Sequence, residues 1–178
     1  FTLPGAWKGS PVCIHFDGVS SAMYLWINGK KVGYSQGSTE DAEFNITPYL
    51  KAGENQVAVE VYRWCDGSYL EDQDMFRLSG IFRDVYLLRR NPVHLRDFYI
   101  HDSFNTLNDI TMNAEIEVNN LSTRTQNGYN VAVSVIDPSG KAVAGSEATL
   151  ESIAKGRCGT VKMQIPVSSP VLWSEEKP

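Results

Sequence analysis

The sequence is poor in cysteine: Cys13, Cys65 and Cys158 are the only three, and they lie far apart in 178 residues. No CxxC spacing exists, which excludes a zinc ribbon or a thioredoxin-like redox pair, and an odd number cannot all pair. They read as free thiols, mostly small buried hydrophobes. Long apolar runs are also missing. The longest, residues 22–27 and 131–136, fall far short of the roughly 18 residues that a transmembrane helix needs, and no basic-then-apolar leader opens the chain. No membrane partner is expected. Basic charge is scarce, with 16 Lys and Arg against 21 Asp and Glu for a net charge of −5. The basic cluster Arg89-Arg90 is too short for the stripe that phosphate binding requires, so no nucleic-acid partner is expected. His15, His94 and His101 fall on separate segments without convergent spacing, which speaks against a metal or acid-base centre built on them.

What the sequence has is sheet periodicity. Alternation of period two recurs and helical periodicity is nearly absent, which predicts an all-β chain. The 42% hydrophobic content suffices for one moderate core or two small ones. Segments 12–16 and 22–27 are apolar enough to be covered on both faces. Between 22–27 and the next run sits Asn28-Gly29, a hairpin signal, because a type I′ turn needs positive φ at both central positions. Residues 45–50 suggest one helical turn, with Thr47 as N-cap, Pro48 at the first helical position and Gly53 closing it. A long strand follows over 55–63, then a polar, acidic stretch over 65–79 without sheet period, then strand again over 81–88.

Asn91-Pro92 interrupts the pattern, since proline cannot donate to a ladder and restricts the residue before it. A domain boundary is placed there, dividing the chain into 1–91 and 92–178. Beyond it, strands are predicted over 95–101, 110–118, 129–136, 142–148 and 158–165, with Asp137-Pro138-Ser139-Gly140 as a turn. That spacing suggests an immunoglobulin-like sandwich without the Cys…Trp…Cys pattern of antibody domains. The first piece is expected to open in mid-strand and the second to lack its last strand. Unpaired edges, through residues 1–4 or beside 158–165, should then favour dimers at high concentration. Trp26, Trp64 and Trp173 read as core or interdomain anchors.

The chemistry is concentrated in Arg63-Trp64-Cys65-Asp66-Gly67-Ser68-Tyr69-Leu70-Glu71-Asp72-Gln73-Asp74-Met75-Phe76, continuing through Arg77-Leu78-Ser79-Gly80-Ile81-Phe82-Arg83-Asp84-Val85. Such a run can ligate a hard cation, or bond a polyhydroxylated ligand while Trp64, Tyr69 or Phe76 stacks on it. It can equally be a solvated acidic loop. The EF-hand spacing is absent.

This run closely resembles the corresponding loop of bacterial β-galactosidases of glycoside hydrolase family 2. Phe16-Asp17-Gly18-Val19, Leu25-Trp26-Ile27-Asn28-Gly29, Val32-Gly33-Tyr34-Ser35-Gln36-Gly37-Ser38 and Ala52-Gly53-Glu54-Asn55 are similar to the same family's sugar-binding domain. Asp97-Phe98 and Pro170-Val171-Leu172-Trp173-Ser174 look like edges of its immunoglobulin-like second domain. The resemblance implies a jelly-roll, galactose-binding-like β-sandwich followed by an immunoglobulin-like one. It implies a noncatalytic fragment of a retaining exo-β-galactosidase, acting on terminal β-D-galactosyl residues of lactose-type substrates. The two catalytic glutamates would lie on a (β/α)8 barrel outside this chain, about 5 Å apart, so no catalytic residue is assigned within it. Asp74 is the residue carried over, as a ligand to sodium and to galactosyl hydroxyls, tasks that suit a carboxylate. Sodium, with magnesium as a second candidate, is the implied cofactor of the parent, and none is expected bound to this fragment. Asp66, Glu71 and Asp72 are expected to shape the loop, and Arg77 and Arg83 to pair with neighbouring carboxylates. The galactoside would be met through the barrel, and the parent is expected to be a cytoplasmic homo-oligomer, with the periplasm as the alternative compartment. A stand-alone carbohydrate-binding module is the other reading, and it requires an aromatic platform within this chain. A scaffold of paired sandwiches is a third.

Overall fold

A computed structural model describes residues 1–70, 76, 78–106 and 109–176. The chain divides into two compact units, Phe1–Asn91 and Pro92–Pro178. Both are built from antiparallel strands, so the all-β expectation holds.

In the first unit the strands are β1 (Val12–Phe16), β2 (Val19–Ser20), β3 (Ala22–Ile27), β4 (Lys30–Gln36), β5 (Ala42–Asn45), β6 (Val57–Tyr62), β7 (Gly80–Ile81) and β8 (Val85–Arg89), with a single helical turn α1 (Gly67–Leu70). They form sheets in the orders β5-β1-β8, β4-β3-β6 and β2-β7. Alternation decides the faces. Met23, Leu25 and Ile27 of β3 point inward and meet Val12, Ile14 and Phe16 of β1, closing one core with Val19 and Ile46. At Asn28 and Gly29 φ is 51° and 75°, and Ile27 pairs with Lys30, so the expected hairpin forms with both turn residues in the left-handed region. Its tip is tied down: Asn28 Nδ2 donates to Oδ1 of the buried Asn55 at 2.8 Å, and Gln56 N to Asn28 Oδ1 at 3.0 Å. The register slips between Leu25 and Trp26, a bulge that sets Lys31 beside Trp26.

Two local expectations are corrected. The turn at Thr47–Tyr49 is a 3₁₀ turn, and Thr47 lies inside it. Asn45 Oδ1 accepts from Thr47 N at 3.1 Å, while the Thr47 hydroxyl accepts from Val12 N at 2.8 Å and so secures β1. Residues 1–4 are also less open than expected. Thr2 bridges to Glu54, and Asn55 N donates to Phe1 O at 2.7 Å.

The second unit contains β9 (Val93–Thr106), β10 (Asp109–Asn120), β11 (Gln126–Ile136), β12 (Ala142–Ile153) and β13 (Cys158–Ser168). All five expected strands are present and longer than predicted. One sheet has the order β13-β10-β9, and β11-β12 forms a second. Ala114, Ile116, Val118, Val161, Met163 and Ile165 of the first sheet enclose a core with Val131, Leu150 and Ile153 of the second. This is a sandwich of immunoglobulin-like type. On β9, Leu95, Phe98, Ile100 and Phe104 stand opposite Val118, Ile116, Ala114 and Ile110, which places them on the inner face. They are nonetheless 61%, 67%, 44% and 64% exposed, because among the described residues the facing sheet has two strands against three.

Candidate functional site

The polar loop borders a cleft in the first unit. Its walls come from three places: Ser20 at the end of β2 with Ser21 beside it, residues 36–40 from the end of β4 onward, and the segment that follows β6 from Arg63 to Ser68, with Phe76 and Leu78 beyond. The cleft measures about 260 Å³.

The structure of the segment after β6 follows from its sequence. Asp66 Oδ1 accepts from Gly67 N at 2.9 Å, and Asp66 O accepts from Tyr69 N and Leu70 N at 3.0 and 3.2 Å, which winds α1. Asp66 therefore shapes the loop, as expected of it. Ser21 Oγ donates to Cys65 Sγ at 2.8 Å, and Cys65 N donates to Ser68 Oγ at 3.1 Å. These bonds fasten the loop to the start of β3. The Ser21 hydrogen bond, joined by those from Ser68, holds the Cys65 thiol below its ordinary range. Cys13 behaves oppositely, since burial, then the nearby Glu43 carboxylate, push its thiol up to about 11. The thiols are all free, but only Cys13 is buried: Cys65 is half-buried and Cys158 exposed, which corrects the expectation of a mostly buried set.

The core reading of the tryptophans is corrected too. Trp64 is 45% and Trp173 77% exposed, so neither is a core residue, and Trp26 sits half-buried on the outer face of β3. At the mouth of the cleft the Trp64 and Tyr69 rings lie 6.4 Å apart, with the Arg63 guanidinium 5.0 Å above Trp64. Among the described residues, Arg83 Nη1 donates to the backbone oxygen of Asp17 at 3.3 Å, and its guanidinium packs over Phe82. Glu71, Asp72, Asp74 and Arg77 lie outside the described residues.

Chemically the cleft offers hydroxyls from Ser20, Ser21, Ser38, Thr39 and Ser68, the Gln36 amide, the Arg63 cation and apolar surface from Trp64, Phe76 and Leu78. Glu40 is the one carboxylate lining it among the described residues. The set fits recognition of a polyhydroxylated molecule.

A second polar cluster was not expected. The His15 ring lies 3.3 Å from each of Asp17, Asp41 and Glu43 and stacks on Tyr86 at 4.9 Å. Glu43 also receives Arg90 Nη2 at 2.6 Å. The three carboxylates converge on the ring, and among the described residues no group of His, Cys, Asp and Glu is arranged to hold a metal ion. His15, Asp17, Asp41 and Glu43 come from β1, β5 and the residues beside them, and no sequence spacing connects them.

Comparison with known proteins agrees with this architecture. Residues 1–92 match the family described as glycosyl hydrolases family 2, sugar binding domain, and residues 93–178 match glycosyl hydrolases family 2. A β-galactosidase of Priestia megaterium is 43% identical over 100% of this chain, which covers 17% of that protein. One of Vibrio cholerae is 42% identical over 100% of the chain and 18% of its own length. The chain thus spans less than a fifth of these relatives. Among solved structures, a Bacteroides uniformis β-glucuronidase superimposes with a TM-score of 0.89 at 24% identity, over 99% of this chain and 22% of that one, and so shares its fold. From its sugar-binding half through its second half, the chain belongs to glycosyl hydrolase family 2.

Proposed function

We propose that this chain is the noncatalytic, substrate-facing part of a retaining exo-β-galactosidase, and that its 63–85 loop forms one wall of the parent's active site. The observation that carries this reading is the polar cleft beside that loop in a chain 42% to 44% identical, over its whole length, to β-galactosidases. The catalytic carboxylate pair would belong to a barrel elsewhere in the parent. Asp74 lies in sequence between Ser68 and Phe76, two residues that line the cleft. We assign it to sodium and to the galactosyl hydroxyls. The oxygen donors of the neighbouring cleft, the Ser20, Ser38 and Thr39 hydroxyls and the Glu40 carboxylate, are of the hard class such a cation prefers.

The test has two arms. The isolated chain should leave o-nitrophenyl β-D-galactopyranoside intact, whereas the parent should cleave it. In the parent, Asp74→Asn should slow turnover by orders of magnitude and blunt the response to sodium, while lowering Tm by no more than about 1 °C. Full activity in that variant with clearly earlier unfolding would make Asp74 a structural residue. Hydrolysis by the isolated chain would overturn the noncatalytic assignment.

A further inference from the structure

Ser21 is bonded to all three walls of the cleft. It belongs to the first wall and is only 5% exposed. Its backbone oxygen accepts from Gly37 N at 3.3 Å, which ties in the wall of residues 36–40. Its backbone nitrogen donates to Tyr62 O at 2.9 Å, at the root of the third wall. The Ser21 hydroxyl then reaches further along that wall, to Cys65 and Ser68. Beside it, the Ser20 hydroxyl donates to Ser38 Oγ at 3.3 Å and joins the first two walls a second time.

The hydroxyl bonds close a ring. A hydroxyl has one proton to give. Ser21 gives its own to Cys65 Sγ at 2.8 Å, so across the 2.9 Å between the two hydroxyls Ser68 donates and Ser21 accepts. Ser68 Oγ in turn accepts from Cys65 N at 3.1 Å. Donation therefore runs one way round, from the Cys65 amide through Ser68 and Ser21 to the Cys65 sulfur, and bonds arranged head to tail polarise one another. Packing alone would be served by alanine at this position, since a buried hydroxyl costs free energy unless it is bonded. What the ring adds is distance. Hydrogen bonds hold a separation to within about half an ångström, whereas apolar contacts can slide.

We propose that Ser21 is the positioning residue of the cleft: its hydroxyl fixes where the 65–68 wall stands before a substrate arrives, and so sets how tightly the parent takes up its galactoside. This rests on the galactosidase reading above and adds to it a residue that acts through the wall. Without the ring the wall spends part of its time elsewhere, and affinity falls with the fraction of time that the binding arrangement is present. Substrate that does bind meets the same reacting groups.

The experiment uses the parent enzyme with o-nitrophenyl β-D-galactopyranoside and, in parallel, hydrogen exchange read by mass spectrometry. Ser21→Ala should raise KM at least about fivefold, the equivalent of one lost hydrogen bond, and keep kcat within about twofold. Exchange should quicken over residues 65–70 and stay as it was over 36–40, whose tie to Ser21 is made by backbone. Cys65→Ala should share both effects. Cys65→Ser, which keeps an acceptor for the Ser21 hydroxyl, should recover most of the lost affinity. An unchanged KM, an unchanged exchange rate over 65–70, or a Cys65→Ser variant no better than Cys65→Ala would overturn the proposal. Quickened exchange throughout residues 1–91 would overturn it too, because it marks general loosening. A parent that leaves the galactoside intact would sink the galactosidase reading and the binding role with it, whereas exchange over 65–70 reads the ring without reference to activity. Should Ser21→Ala fail to fold, the two Cys65 variants decide.

Discussion

At the scale of single residues, the two thiols of the first unit make opposite predictions from the same chemistry. Cys65 is half-buried and is held below its usual range by the Ser21 hydroxyl 2.8 Å away. Cys13 is buried and pushed up to about 11. Because the thiolate is the reactive form, iodoacetamide at neutral pH should modify Cys65 long before Cys13 in the native chain, as read by peptide mass spectrometry. Rapid modification of Cys13 would mean that β1 is not enclosed as described. Gly33 offers a different test. A methyl placed on it would come within 2.5 Å of the Phe44 ring, and Phe44 packs edge-on against the buried Phe16 at 6.5 Å. Gly33→Ala should therefore force the ring out of place and destabilise the chain by about 1–3 kcal/mol, measured by urea denaturation. A neutral result would show that Phe44 yields without cost.

Among elements, β1 is held between β5 and β8, and a charged pair reinforces that arrangement. Burial raises the Glu43 carboxyl, but the hydrogen bond and charge of Arg90 outweigh it and leave the group below its ordinary value of 4.5. A carboxylate depressed in the folded state stabilises fully above its unfolded value, and that contribution is lost as pH falls through the folded value. Over the range from about pH 5 to pH 3 the wild type should thus lose more Tm than Glu43→Gln does, an outcome that thermal scans at several pH values can read. Parallel acid limbs would remove Glu43 from the account.

This scale also separates what was legible in the sequence from what was not. The β3-β4 hairpin was readable because Asn28 and Gly29 determine it locally, and the strands of the second unit were readable from alternation alone. The outward placement of Trp26 was not. In the unbroken apolar run of 22–27, periodicity alone does not choose the inner face, and the β4 bulge that brings Lys31 beside Trp26 depends on pairing. The loop's polar chemistry could be read from its composition, but the partners that complete the cleft, Ser20, Ser21 and Gln36, belong to other strands and carry no local sign. The cluster around His15 escaped for the same reason. Asp74 came from family likeness and from no pattern in the residues.

For the whole molecule, the 42% hydrophobic content is not all consumed by the two cores. The inner side of β9 leaves Leu95, Phe98, Ile100 and Phe104 in water, and exposed apolar patches of this kind recruit partners. The isolated chain should self-associate as its concentration rises, and Phe98→Asp with Phe104→Asp should shift it toward monomer in sedimentation velocity. A monomer at every concentration would show that this face is tolerated bare. The pairing of β1 with β8 has a further consequence. Val12 meets Arg89 and Phe16 meets Val85, so β1 finds this neighbour only after every strand between them has been made. Until then that edge of β1 stands open. The closing of the edge is timed by synthesis of β8, and a non-local closure of this kind belongs to the slow end of folding rates.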